Sequence, residues 1–131
     1  MDIDVRISSG KFVTDLYRKS THVCQYLLPS SCHPPHICKN IPFSLGYRIL
    51  RICSDKFIFE IRLTELKKML LERRYSLKII ENAFAKLRLI HRSEALKKVE
   101  KVDNKKMTFV FPFDPRMPSI SHIIKKQMKL M

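Results

Sequence analysis

Over residues 57–90 the apolar positions recur twice at helical spacing. Phe59, Leu63, Leu66 and Leu70 stand at i, i+4, i+7 and i+11, one stripe of an amphipathic helix. Ile80, Ala83, Phe84 and Leu87 repeat the pattern, and it lapses over residues 73–76. The stretch therefore predicts two helices joined by a tight turn. Ser76 is placed to cap the second, its hydroxyl accepting from a free first-turn amide. A joint this short leaves the two helices packed against each other, in the outline of a helix-turn-helix.

The rest of the chain reads around that pair. Residues 4–8 and 11–18 are short runs of β-formers separated by Ser9-Gly10, which predicts a β-hairpin with a two-residue turn. In the second run Phe12, Thr14 and Leu16 alternate with Val13, Asp15 and Tyr17, so its faces do not divide cleanly. A lone hairpin is marginal in water, so either the helices cover it or it joins a larger sheet. Residues 19–41, interrupted by Pro29, Pro34 and Pro35, read as loop. Residues 42–54 predict a helix opened by Pro42, with Leu45, Ile49, Ile52 and Cys53 on one face, and Asp55 caps the helix that follows. Ser93 and Glu94 open a short helix to about residue 100, residues 101–106 form a charged loop, and 107–112 read as a strand. After a turn at Asp114-Pro115, Ser119 caps a last helix over 119–130 with Ile120, Ile123, Ile124 and Met128 on one side. The expected fold is mainly α with minor β: an N-terminal β-hairpin, a helical bundle containing a helix-turn-helix, one late strand and a C-terminal helix.

Charge changes this picture. The chain carries 26 Lys and Arg against 12 Asp and Glu, a formal net charge of +14 over 131 residues. That excess favours a polyanionic partner, nucleic acid ahead of an anionic membrane surface. No run is long and apolar enough to span a bilayer. The first residues lack the basic-then-apolar order of a signal peptide, so a nuclear or cytoplasmic location and reduced thiols for the four cysteines are expected.

The densest cluster of reactive residue types is Cys32, His33, His36 and Cys38. Zinc is conceivable there, but the spacing matches no standard finger, adjacent Cys32 and His33 are awkward on one ion, and Pro34-Pro35 stiffens the loop between them. The plainer reading makes the cysteines small core residues and the histidines local hydrogen-bonders. No cofactor is implied. Catalysis finds no support either: there is no paired-aspartate polymerase motif, no Gly-rich phosphate loop and no nucleophile elbow. Asp15, Asp55 and Asp114 read as strand-surface, cap and turn residues.

The basic residues make a stronger case. On the second helix of the pair, Lys78, Asn82 and Lys86 lie at i, i+4 and i+8 opposite the apolar stripe, and Arg73 and Arg74 sit at the turn beside its N-terminus. Backbone amides and the positive end of the helix dipole favour phosphate there. With Arg48 and Arg51 of the preceding helix, these are the candidate nucleic-acid contacts. The cations would meet phosphates, and Asn82 is the side chain suited to a bidentate base contact. DNA, RNA and an RNA–DNA hybrid all remain open as ligands. A protein partner recruited through the hairpin edge or the apolar helix faces is the alternative from another class.

Several motifs taken together carry a resemblance. The strand pair ends in Thr14-Asp15-Leu16-Tyr17-Arg18-Lys19; Tyr26-Leu27 follows, then Ser31-Cys32-His33-Pro34 with His36. Next come Ile41-Pro42-Phe43-Ser44, Arg48 with Arg51-Ile52-Cys53-Ser54, and the leucine-rich helix through Leu71. This run, from about Ile3 over nearly the whole chain, resembles the C-terminal region of Penelope-like retroelement reverse transcriptases. There it follows the polymerase palm and precedes, where present, a GIY-YIG endonuclease, as an animal helix-turn-helix domain. The resemblance implies three segments. Residues 1–30 would be a hairpin and loop from the palm edge, 31–101 a thumb-like helical domain gripping duplex, and 102–131 a strand and helix leading to an absent domain. The catalytic motifs of polymerase and endonuclease do not occur in this chain, which looks like a truncated remnant or a small protein derived from one; a non-functional retroelement remnant is a further alternative. Two positions depart from the family pattern: Arg74 stands where the family favours Gly after the leucine-rich helix, and Ser76 where it favours Pro. A non-Gly residue in a left-handed turn conformation costs roughly 1 kcal/mol, so a wider or weaker turn is expected.

Overall fold

The computed structural model describes residues 3–23, 25–97, 110, 112, 114–118 and 120–128. In chain order the elements are β1 (Ile3–Ser8), β2 (Lys11–Leu16), α1 (Pro35–Ile52), α2 (Lys56–Glu72), α3 (Leu77–Leu89), α4 (Arg92–Leu96) and α5 (Ile120–Met128). The fold is mainly helical behind an N-terminal antiparallel hairpin, as the pattern predicts. The expected strand at 107–112 lies, but for Val110 and Pro112, outside the described residues, as does Ser119, the expected cap of α5.

The core is the helical stretch. Phe59, Leu63, Leu66 and Leu70 of α2 and Ile80, Ala83, Phe84 and Leu87 of α3 are all buried, and Ile49 and Leu50 of α1 with Cys53 at its C-cap close the cluster. Helix α1 packs on both α2 and α3, and more extensively on α3; α2 and α3 touch each other less. The pair is thus held by a third helix more than by mutual packing. Gly46 lets α1 come close to α3: a Cβ there would overlap Leu87 Cδ1, while Leu63 and Phe84 would stand at ordinary contact distance. Burial pushes the Cys53 thiol up to about 11.

Helix α1 begins seven residues earlier than Pro42 suggests. Pro35 takes the first helical position, where its missing N–H costs nothing. Pro42 is then inside the helix and buried, on a stripe with Cys38, Gly46, Ile49 and Leu50. The sequence misleads because two prolines both suit a helix start, and the apolar stripe through Cys38 and Gly46 uses residues too small to stand out.

The α2–α3 turn is a complete Schellman motif. The Tyr75 N–H donates to the Leu70 carbonyl at 3.0 Å and the Arg74 N–H to the Leu71 carbonyl at 2.9 Å. Arg74 holds the left-handed conformation, φ 62°, that this motif requires. The wider turn expected of a non-Gly residue does not form: two backbone bonds and the burial of Tyr75 against the core offset the strain. The Tyr75 hydroxyl also donates to the Leu27 carbonyl at 2.6 Å, tying the loop before α1 to this turn. Asp55 caps α2 as predicted, accepting from the Phe57 amide at 2.9 Å. Ser76 occupies the N-cap of α3, but its hydroxyl makes no capping bond. At α4 the cap is His91, whose Nδ1 accepts from the Ser93 amide, so the helix starts one residue before the expected Ser93.

In the hairpin, Ser9 (φ 49°) and Gly10 (φ 72°) both take positive φ, the geometry of a type I′ turn that suits the strand twist. Its base is fastened to the helices. Thr14 Oγ1 donates to the Ile52 carbonyl at 2.6 Å, the Thr14 N–H donates to Ser54 Oγ, and the Ser54 N–H returns a bond to the Thr14 carbonyl. Asp15, expected on a strand surface, is 9% exposed and receives a bidentate bond from Arg62 of α2, at 2.9 and 2.6 Å. The Arg62 guanidinium holds the Asp15 carboxyl below its ordinary range. Arg62 also reaches Glu65, which pairs in turn with Arg18. The far end of the hairpin is uncovered: Val5, Ile7 and Phe12 are exposed.

Candidate nucleic-acid interface

Helix α3 presents two different flanks to solvent. On the flank toward α2, Arg88 donates to the Glu60 carboxylate at 3.0 and 2.8 Å and Glu81 pairs with Lys67 at 2.9 Å. The Arg88 bonds hold the Glu60 carboxyl below its ordinary range. These pairs brace α3 against α2 and neutralise that side. The other flank carries Lys78, Asn82 and Lys86, all exposed, and neither lysine has an ion-pair partner among the described residues. Asn82 and Lys86 line a shallow groove with Ile79 and Ala83 of α3 and Lys39, Asn40 and Phe43 of α1. A longer α1 brings Lys39 and Asn40 to this groove; they went unnoticed in the sequence because residues up to 41 read as loop.

At the head of α3 the turn adds Arg74, exposed, and Arg73, half-buried at the C-cap of α2. The amides of Ile79 and Ile80 bond to the Ser76 carbonyl, whereas those of Leu77 and Lys78 have no hydrogen-bond acceptor among the described residues. Open amides, the positive helix end and two cations therefore meet at one place.

Arg48 and Arg51 do not join this surface. They line a separate depression with Ser44 and Tyr47 of α1, Thr14 of β2 and Arg92 of α4. Arg51 lies 12 residues along α1 from Lys39, roughly 18 Å at helical rise. Arg92 is a third cation there that sequence reasoning missed. Its Nε is buried without a hydrogen-bond partner among the described residues.

The cysteine–histidine cluster is parted by the fold. Cys38 is buried, its thiol 3.9 Å from the Leu28 carbonyl and 4.0 Å from Ser31 Oγ. Cys32 and His36 are exposed, and His33 Nδ1 meets Ser31 Oγ at 3.2 Å. Among the described residues no three His, Cys, Asp or Glu side chains converge as metal ligands. Among them, too, no helix is long and apolar enough to cross a membrane.

Two helices on a common third, a four-residue Schellman turn and an unpaired basic flank on the second helix form a helix-turn-helix arrangement. Residues 25–85 match the family model of the animal helix-turn-helix domain. The matched segment starts in the loop held by Tyr75, takes in α1, α2 and the turn, and stops within α3, one residue before Lys86. It covers a little under half of the chain and leaves out the hairpin, α4 and α5. No curated protein and no solved structure matches the chain.

Proposed function

We propose that this chain is a non-catalytic nucleic-acid-binding module that grips the phosphate backbone through the free flank of α3. The observation that carries the reading is the asymmetry of that helix. Its acidic and basic residues on the α2 side are consumed in ion pairs, while Lys78 and Lys86 stay open beside Asn82, and Lys86 lines with Lys39 the groove between α3 and α1. Arg73 and Arg74 extend the surface around the head of α3, and a net charge of +14 supplies the long-range attraction. Arg48 and Arg51, with Arg92, form a second phosphate-contacting patch reached by a ligand long enough to pass both. The match to the animal helix-turn-helix domain supports nucleic-acid binding; the resemblance to the C-terminal region of Penelope-like reverse transcriptases implies a module that holds template–primer duplex, with DNA, RNA or a hybrid as ligand.

Fluorescence anisotropy of a labelled RNA–DNA hybrid, titrated at several salt concentrations, tests the reading. Affinity should fall steeply with salt. The double variant Lys78→Ala/Lys86→Ala should weaken binding for every sequence and flatten the log–log salt slope by about 2. Competition with duplex DNA and single strands ranks the ligands. An absence of binding at low salt by a folded protein, or an unchanged slope in the double variant, sinks the assignment of this flank. A second reading, a protein partner at the hairpin, is favoured by the exposure of Val5, Ile7 and Phe12.

A further inference from the structure

The hairpin carries an edge whose chemistry specifies its occupant. The Thr14 N–H and carbonyl both turn away from β1, toward Ser54. In an antiparallel pair, directly opposed residues either exchange both bonds or both point outward. Thr14 is opposite Val5, so the polar backbone groups of Val5 also point away from β2, as do those of Ile3 and Ile7 two residues to either side. No hydrogen bond from the described residues reaches that outer edge. Of the usual protections the edge lacks Pro, Lys and a bulge, and its two charges, Asp4 and Arg6, neutralise each other. Its outward residues are Ile3, Val5 and Ile7, and with Phe12 opposite Ile7 they share one apolar face of the hairpin, where Ile7 and Phe12 are 73% and 74% exposed.

The charges of β1 stand either side of Val5 with opposite sign. Asp4 and Arg6 flank Val5 and pair with each other within the strand at 2.7 Å. We propose that β1 pairs antiparallel with β1 of a second copy of this chain, about a two-fold axis at Val5. Val5 then faces Val5, and Ile3 of each protomer faces Ile7 of the other. All three pairs join outward-pointing residues, so each exchanges two bonds and the seam gains six. In the intervening positions Asp4 of each protomer lies directly opposite Arg6 of its partner, a favourable cross-strand pair made twice. The two-fold keeps both apolar faces on the same side of a four-stranded sheet. Read antiparallel, the charge order of β1 is its own complement, which favours a second copy over a sheet edge of arbitrary sequence. The surface is distinct from the α3 flank, so the dimer and the nucleic-acid reading stand or fall separately.

Sedimentation of the full chain over a range of concentrations, at salt high enough to strip nucleic acid, reads the dimer directly. The wild type should pass from monomer to dimer and stop there. Arg6→Asp and Asp4→Arg should each weaken the dimer by about tenfold, since two favourable cross-strand pairs become two repulsive ones. An equimolar mixture of the two variants should restore it, because every opposed pair is then of opposite sign. Val5→Pro, with helicity checked by circular dichroism, should abolish it by removing the central amide. A wild type that stays monomeric, or associates without limit, overturns the proposal. So does a mixture no tighter than either variant alone, because the register about Val5 requires the rescue.

Discussion

Replacing Arg74 with glycine should stabilise this protein while weakening its grip on nucleic acid. Arg74 sits at φ 62°, where a Cβ costs about 1–2 kcal/mol relative to ordinary backbone. Glycine removes that cost but gives back about 0.4–1 kcal/mol through the freedom it adds to the unfolded chain. The motif bonds of Arg74 and Tyr75 use only the backbone, so both survive the change. The net gain is about 0.5–1 kcal/mol, a rise in Tm of roughly 2–4 °C for a chain of this size. Thermal and urea unfolding followed by circular dichroism measures it. Arg74→Ala is the control: it removes the same charge and side chain, keeps the Cβ in the left-handed region, and should give no gain. In the anisotropy assay both variants should lose about one unit of salt slope. Should Arg74→Gly prove no more stable than Arg74→Ala, the turn is not strained at this residue and the reasoning fails.

Two further predictions concern the joints of the fold. Asp15→Ala should lower stability by about 2 kcal/mol at neutral pH, less than a fully buried pair, because Arg62 retains Glu65. Since the folded carboxyl is held below its unfolded value, its contribution is complete above about pH 4 and is lost as pH falls through the lowered folded value. Urea midpoints of wild type and variant should accordingly converge in acid, and a gap that stays constant down to the acid limit refutes the pairing. Gly46→Ala should cost about 2 kcal/mol and lower the urea midpoint, because the new methyl meets buried Leu87 where α1 crosses α3; a neutral substitution would show that the helices have room to part.

The helical pair, its turn and the hairpin are legible from period alone, because each depends on neighbours in sequence. Phe59 through Leu87 repeat at helical spacing, and Ser9-Gly10 supplies a turn that the twist demands. The start of α1 is not legible: it depends on whether Pro42 can be buried inside a helix, which Gly46 and the stripe through Cys38 decide in three dimensions. Asp15 is similar. Nothing local marks it for burial, and its partner lies 47 residues away. For the candidate site, the free face of α3 follows from spacing, whereas Lys39 and Arg92 enter through the packing of α1 and α4, and the separation of Arg48 and Arg51 from α3 through the length of α1. The ion pairs that brace one flank of α3 join residues 14 and 28 apart, and no one-dimensional pattern distinguishes those lysines and arginines from the open ones.

Helix α2 holds an upstream segment at each of its ends. At its N-terminal end Ser54 and Arg62 clasp the hairpin; at its C-terminal end Tyr75 clasps the loop before α1. Between the two clasps the chain runs from Tyr17 to Gln25 without regular structure in its described residues. Arg18, paired with Glu65, tethers the start of that connection, so each segment opens by breaking its own bonds and apolar contacts to the helices while these stay folded. Amide exchange should divide the first third of the chain into two units with separate opening energies, both below that of the helical core. A protease entering near Val23 would leave both pieces attached, and the nicked protein would keep its shape until acid or a Tyr75→Phe substitution released one latch or the other.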